Sequence, residues 1–156
     1  MVLNRKELVK QIEHVLAPRG YLKRGPAWYR HFPETILVLD LQKSDYGGQF
    51  YINLGVTLPE LCESEYPAEN HCDVRMRLGG AFSDRPYVAK VFDLENATFG
   101  NNDREKAIQE LIAYGADWLE KFSSKQAIVN QIKQSEDICC HTTLKLKRFL
   151  NLPIEG

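Results

Sequence analysis

The sequence predicts an α+β fold: an antiparallel sheet of four to five strands in a meander, with N-terminal and C-terminal helices packed on one face. Three observations predict it. Apolar residues recur at helical spacing near the start, at a period of two through the middle, and at helical spacing again from Asp103 onward. The runs with strand spacing are joined by connections too short for a helical crossover, which leaves antiparallel pairing. Strands grouped together, with helices at the ends, favour α+β over an alternating α/β order.

The first helix is expected from Asn4 to Leu16. Asn4 is a good N-cap and Glu7 sits three residues on, completing a capping box. Leu3 and Leu8 are placed as a hydrophobic staple, and Leu8, Ile12, Val15 and Leu16 share one helix face. Pro18 and Gly20 end the helix. Strands follow at Trp28 to Phe32, Thr35 to Lys43 and Gln49 to Leu58, with turns at Pro33-Glu34 and Ser44 to Gly48. Pro59 to Asn70 reads as a loop, and His71 to Leu78 as a fourth strand ended by a turn at Gly79-Gly80. Tyr87 to Leu94 is the candidate fifth strand. Asn102 with Glu105 suggests a second capping box, opening a helix from Asp103 to Phe122 with Ile108, Leu111, Ile112, Gly115, Trp118, Leu119 and Phe122 along one face. Ser123-Ser124 interrupts it, and shorter helical segments carry Ala127, Ile128 and Ile132, then Leu146, Phe149 and Leu150.

Composition bounds the function. The chain has 156 residues, 44% hydrophobic and 26% charged, which suits one globular domain over residues 1–156 rather than a disordered chain. The net charge of −1 argues against a dedicated nucleic-acid binder. The charge is uneven: residues 1–30 are basic on balance and residues 31–110 acidic. The charged start, Met1 to Glu7, lacks the apolar core of a signal peptide, and no apolar run reaches the length of a membrane span. The expected location is the cytoplasm, where Cys62, Cys72, Cys139 and Cys140 are expected to be reduced.

Alternation along the strands separates two sheet faces. Leu37, Leu39 and Leu41, then Phe50, Ile52, Leu54 and Val56, then Cys72, Val74, Met76 and Leu78 form one apolar face, expected to meet Ile12, Leu111, Trp118 and Leu119 of the helices. The other face carries Ile36 and Val38, and gathers Asp40, Gln42, Tyr51, Asn53, Asp73, Arg75 and Arg77. It reads either as a solvated face with cross-strand ion pairs, such as Asp40 with an arginine, or as a recognition surface. Arginine, tyrosine and asparagine together suit a carboxylate or a polar partner.

The remaining motifs carry little chemistry. His71-Cys72, Cys62 and Cys139-Cys140-His141 lack the spacing of zinc ribbons and fingers, so no metal is expected. A cysteine nucleophile activated by histidine has no local support. No Gly-rich phosphate loop is present and no cofactor is expected. Lys23, Arg24, Trp28, Tyr29, Arg30 and His31 mix bases with aromatics, which suits either stacking on single strands or an edge strand with a charged rim.

Several segments occur in a recognisable order: Trp28-Tyr29-Arg30, Leu41-Gln42-Lys43-Ser44, Tyr46-Gly47, Phe50-Tyr51-Ile52-Asn53-Leu54-Gly55 and Arg75-Met76-Arg77-Leu78-Gly79. Together they resemble a bacterial family, domain of unknown function 4304, over about residues 5–95. The resemblance implies a bacterial, cytoplasmic protein and no assigned reaction. It places Gln42, Lys43, Ser44, Asn53, Arg75 and Arg77 among the family's recurring positions, and Gln42, Asn53, Arg75 and Arg77 also fall on the polar face. The candidate binding residues are therefore Asp40, Gln42, Lys43, Ser44, Tyr51, Asn53, Arg75 and Arg77. Two functional classes follow. One is a non-enzymatic binding module, by analogy with immunity proteins. Its acidic loop, with Glu60, Glu63, Glu65 and Glu69, would suit a basic protein partner such as a nuclease. The other is an enzyme or small-ligand binder in which Arg75 and Arg77 hold an anion. A flat polar face would favour the first and a cleft the second.

Overall fold

The computed structural model describes residues 3–154; Met1 and Val2 of the charged start lie outside them. Helix α1 (Arg5–Leu16) begins where expected, with the Asn4 side chain accepting a hydrogen bond from the Glu7 amide at 2.9 Å. A 3₁₀ turn at Ala17–Arg19 follows, and Gly20 closes it with φ +88°, a conformation that glycine adopts without a Cβ penalty. Five strands then form one antiparallel meander: β1 (Leu22–Arg24), β2 (Ala27–His31), β3 (Ile36–Lys43), β4 (Phe50–Thr57) and β5 (Val74–Arg77). The helices after the sheet are α2 (Leu78–Phe82), α3 (Arg85–Val91), α4 (Asn101–Glu120), α5 (Lys125–Gln134), α6 (Glu136–Cys140) and α7 (Leu144–Phe149).

The apolar face of the sheet forms the main core. Leu37, Leu39, Leu41, Ile52, Leu54, Val74 and Met76 are buried in one cluster with Ile12 of α1 and Leu111, Trp118 and Leu119 of α4. Leu39 and Leu54 are cross-strand partners at its centre. Gly115 of α4 lies directly over them, and a Cβ there would stand 3.5 Å from Leu54 Cδ2 and 3.3 Å from Leu78 Cδ1. The missing side chain lets the helix come down close to the sheet.

Four expectations need correction. The fifth strand is Leu22–Arg24, at the other edge of the sheet, and Tyr87 to Leu94 is mostly helix α3. Asp84 caps that helix through the Tyr87 amide at 3.1 Å, Pro86 occupies its first turn, and Val88 and Val91 are buried three residues apart. These start signals outweigh the β-branched and aromatic composition of the segment. Secondly, Gly79-Gly80 is part of α2 rather than a turn. Thirdly, α4 starts one residue before Asn102, behind Gly100, so no capping box forms there.

Fourthly, β5 is shorter than expected. A 3₁₀ turn at Glu69–His71 precedes it, and strand alternation does not extend back through such a turn. Cys72 therefore packs with the outer-face residues Ala27, Tyr29, Ile36 and Val38, not in the main core. Asp73 is only 1% exposed rather than solvated. Its carboxylate accepts from Thr57 Oγ1 at 2.7 Å and Thr143 Oγ1 at 2.6 Å, tying β4 to the start of α7.

The base-and-aromatic segment is spent on the fold. Trp28 is fully buried and donates to Glu13 at 2.8 Å, Tyr29 is buried in the outer-face cluster, and Arg30 pairs with Glu120 at 3.4 Å. Neither ring is open for a base to stack on it.

Candidate functional site

The outer face of the sheet is built in rows across the strands. The register aligns Tyr29, Val38, Gly55 and Arg75 in one row, and Ala27, Asp40, Asn53 and Arg77 in the next. Gln42 and Tyr51 form the start of a third. The loop from Pro59 to Asp73 folds back over the first row. Tyr66 stands edge-on to Tyr29 and to His31, with ring centroids 5.1 and 5.3 Å away, and Arg24 lies 4.6 Å over its face. The Tyr29 hydroxyl donates to the Pro67 carbonyl at 3.0 Å.

Gly55 makes this cover possible. A Cβ there would stand 2.9 Å from Cys72 Sγ, 3.0 Å from Cys72 Cβ and 3.2 Å from Glu69 Cγ. Burial pushes the Cys72 thiol far above its ordinary range, with the nearby Glu69 and Asp73 adding to the shift, so it stays a neutral thiol.

The second and third rows remain open. The loop's contribution to their border is Glu69, a buried carboxylate that accepts two bonds from Arg75, at 2.9 Å from Nε and 3.2 Å from the terminal guanidinium nitrogen. The hydrogen bond to Glu69 raises the Arg75 pKa further, while the guanidinium remains half exposed. The expected cross-strand ion pair of Asp40 with an arginine is not formed among the described residues; Arg75 pairs instead with Glu69 of the loop. Asn53 is buried and donates from Nδ2 to Asp40 Oδ2 at 3.2 Å and Gln42 Oε1 at 3.0 Å. Burial raises the Asp40 pKa above the usual carboxylate range; the Asn53 bond opposes this and the negative Glu69 adds to it. Arg77 lies over the Tyr51 ring at 4.1 Å, the diagonal neighbour set by the register.

Two adjoining cavities occupy this open half. The first, about 550 Å³, lies at the β5 edge. Gln42, Tyr51, Asn53, Arg75 and Arg77 face it from the sheet, with Gly80, Arg85, Val88 and Ala89 from the α2–α3 segment and His141 beside α6. The second, about 560 Å³, shares Gln42, Asn53, Glu69, Arg75 and Arg77 and adds Asp40 and Tyr29.

The walls are anchored. His141 lies beside β5 because its carbonyl accepts from the Arg75 amide at 3.1 Å. Helix α3 is held to the start of β4 by the Phe50 amide donating to the Phe92 carbonyl at 2.9 Å and by Gln49 Nε2 donating to the Ala89 carbonyl at 3.0 Å. It is held to α4 by Arg104, whose buried guanidinium donates to the carbonyls of Val91 at 2.6 Å and Asp93 at 2.8 Å.

The structure brings together six of the eight sequence candidates: Asp40, Gln42, Tyr51, Asn53, Arg75 and Arg77. Lys43 and Ser44 serve the β3–β4 turn instead. Lys43 Nζ donates to the carbonyls of Ser44 and Gly47 at 3.3 Å each, and Ser44 Oγ accepts from the Tyr46 amide at 3.2 Å. Sequence reasoning missed Arg85, Glu69 and His141 as neighbours of this site. The Asp84-Arg85-Pro86 helix start could have revealed the first; no local signal marks the other two.

The acidic loop is partly neutralised: Glu69 pairs with Arg75, and Glu60 with Lys125. Among the described residues, no group of three or more histidine, cysteine or acidic side chains could hold a metal ion, and no helix is long and apolar enough to cross a membrane. No curated protein and no solved structure gives a significant match to the chain. A family profile does match, over residues 12–121, and so reaches beyond the segments that carry the resemblance in sequence and takes in α4. The chain belongs to the family described as a domain of unknown function, DUF4304.

Proposed function

We propose that this chain is a non-enzymatic binding domain whose ligand is a small anionic molecule held in the open half of the polar sheet face. The observation that carries the reading is the cavity of about 550 Å³ lined by Arg75, Arg77 and Arg85 against the single acid Glu69. Arg75 is compensated by Glu69, and among the described residues neither Arg77 nor Arg85 forms an ion pair. Two guanidinium groups at one concave site favour a carboxylate or phosphate. The concave shape supports a small molecule over a flat protein partner, and the internal pairing of Glu60 and Glu69 leaves less of the acidic loop for a basic one. The linings are rich in donors for an anion, and the acid nearest the arginines, Glu69, is already engaged by Arg75. A bacterial source and a cytoplasmic location belong to the same reading, supported by the sequence resemblance and by four free thiols.

The test is to isolate the protein from its own cells and analyse small molecules released on denaturation by mass spectrometry. The reading predicts an anionic compound that is absent from an Arg77→Gln, Arg85→Gln variant. Equal recovery from both proteins would place the ligand elsewhere. Recovery of a stoichiometric protein partner with no small molecule would overturn the reading in favour of a protein interface.

A further inference from the structure

The two joined cavities carry charges of both signs that have no ion-pair partner among the described residues: Arg85 lines the first, Asp40 the second, and Arg77 both. The Asp40 carboxylate is half-buried and receives one side-chain hydrogen bond, from Asn53, and no cation pairs with it among the described residues. The acid nearest in effect, Glu69, has the same sign and is already engaged by Arg75. A half-buried carboxylate without a cation is costly, whereas Arg77 and Arg85 are exposed and stay hydrated until an anion displaces that water.

The register fixes the span between them. Asp40 pairs with Asn53 and Asn53 with Arg77, so the two charges start from positions two strand spacings apart, on the order of 10 Å. Asn53 lies between them. Its Nδ2 group gives one hydrogen bond to Asp40 and one to Gln42, which uses both of its protons and leaves Oδ1 as an acceptor.

We infer that the ligand is bipolar, with an anionic group on Arg77 and Arg85 and an ammonium or related cation on Asp40, the two joined by a chain that crosses Asn53. The inference rests on the binding reading above and names the class of molecule that would satisfy it. A simple anion would leave Asp40 uncompensated, whereas a molecule with both charges neutralises both ends of the row. Electrostatic complementarity of this kind gives specificity more than affinity, so a matched pair of probes separates the alternatives.

Isothermal titration with 6-aminohexanoate and with hexanoate, which lacks only the ammonium group, tests the inference. The wild-type protein is expected to bind 6-aminohexanoate about tenfold more tightly. Asp40→Asn should abolish that difference, with its fold checked by circular dichroism. Equal binding of the two probes to wild type, lost in Arg77→Gln, Arg85→Gln, would overturn the bipolar ligand and leave the anion-binding reading standing. If neither probe binds, or if binding is untouched in the arginine variant, both fall.

Discussion

The outer face of the sheet has two halves that share strands β3 and β4, and they have opposite fates. Toward Ile36 and Thr57, the side chains are Tyr29, Val38 and Gly55, and the loop from Pro59 to Asp73 covers them. Toward Gln42 and Tyr51, the side chains are Asp40, Asn53 and Arg77, and the surface stays open as two joined cavities. Composition decides which half is covered. Small and apolar groups let backbone approach, most clearly at Gly55, while a row of charge and amide would lose its hydration under a loop. Glu69 marks the boundary, since it belongs to the covering loop and binds Arg75, the first-row residue that also lines both cavities.

The comparison can be broken by substitution. Ile36, 2% exposed under the loop, should cost about 2–5 kcal/mol when changed to alanine. Gln42→Ala, in the open half, should cost about 0.5–1.5 kcal/mol, for the hydrogen bond that its Oε1 accepts from Asn53. Urea unfolding of the two variants measures this, and similar costs would mean that the halves are not energetically distinct. Gly55→Ala is next. Overpacking against Cys72 should cost about 1–3 kcal/mol, outweighing the roughly 0.4–1 kcal/mol gained by restricting the unfolded chain. A stabilised Gly55→Ala would show that the loop seats loosely.

Glu69→Gln should cost less, about 1 kcal/mol, because half of the Arg75 side chain already stands in water. Proteolysis within the loop should rise in this variant before global unfolding changes. The smallest effect is expected at Asp40 and depends on pH. Its folded pKa lies above the unfolded value, so the ionised carboxylate is the disfavoured form in the native state. That penalty is present near neutral pH and fades in acid, below about pH 4, where the group is protonated in both states. Asp40→Asn should therefore raise the melting temperature slightly near pH 7 and leave it unchanged near pH 3. A gain confined to acid would reverse the sign and the explanation.

Much of this was legible from alternation. Leu37, Leu39, Leu41, Ile52 and Leu54 announce the buried face by period alone, and Asp40, Asn53 and Arg77 share the opposite one. The division of that opposite face was not legible, because it depends on a loop contact between residues far apart in sequence. Cys72 and Asp73 were misplaced because a 3₁₀ turn breaks the strand parity just before Val74. Arg85 was hidden by reading Tyr87, Val88, Val91 and Phe92 as β-formers, although Asp84 and Pro86 marked a helix start beside it.

The most direct test of the open half as a binding site is chemical-shift mapping of the ¹⁵N-labelled protein during titration with hexanoate and, separately, inorganic phosphate. The account predicts shifts concentrated at Asn53, Arg77, Gly80 and Arg85, with Ile36, Val38 and Cys72 of the covered half unmoved. Shifts scattered over surface lysines, or centred on the covered half, would contradict it.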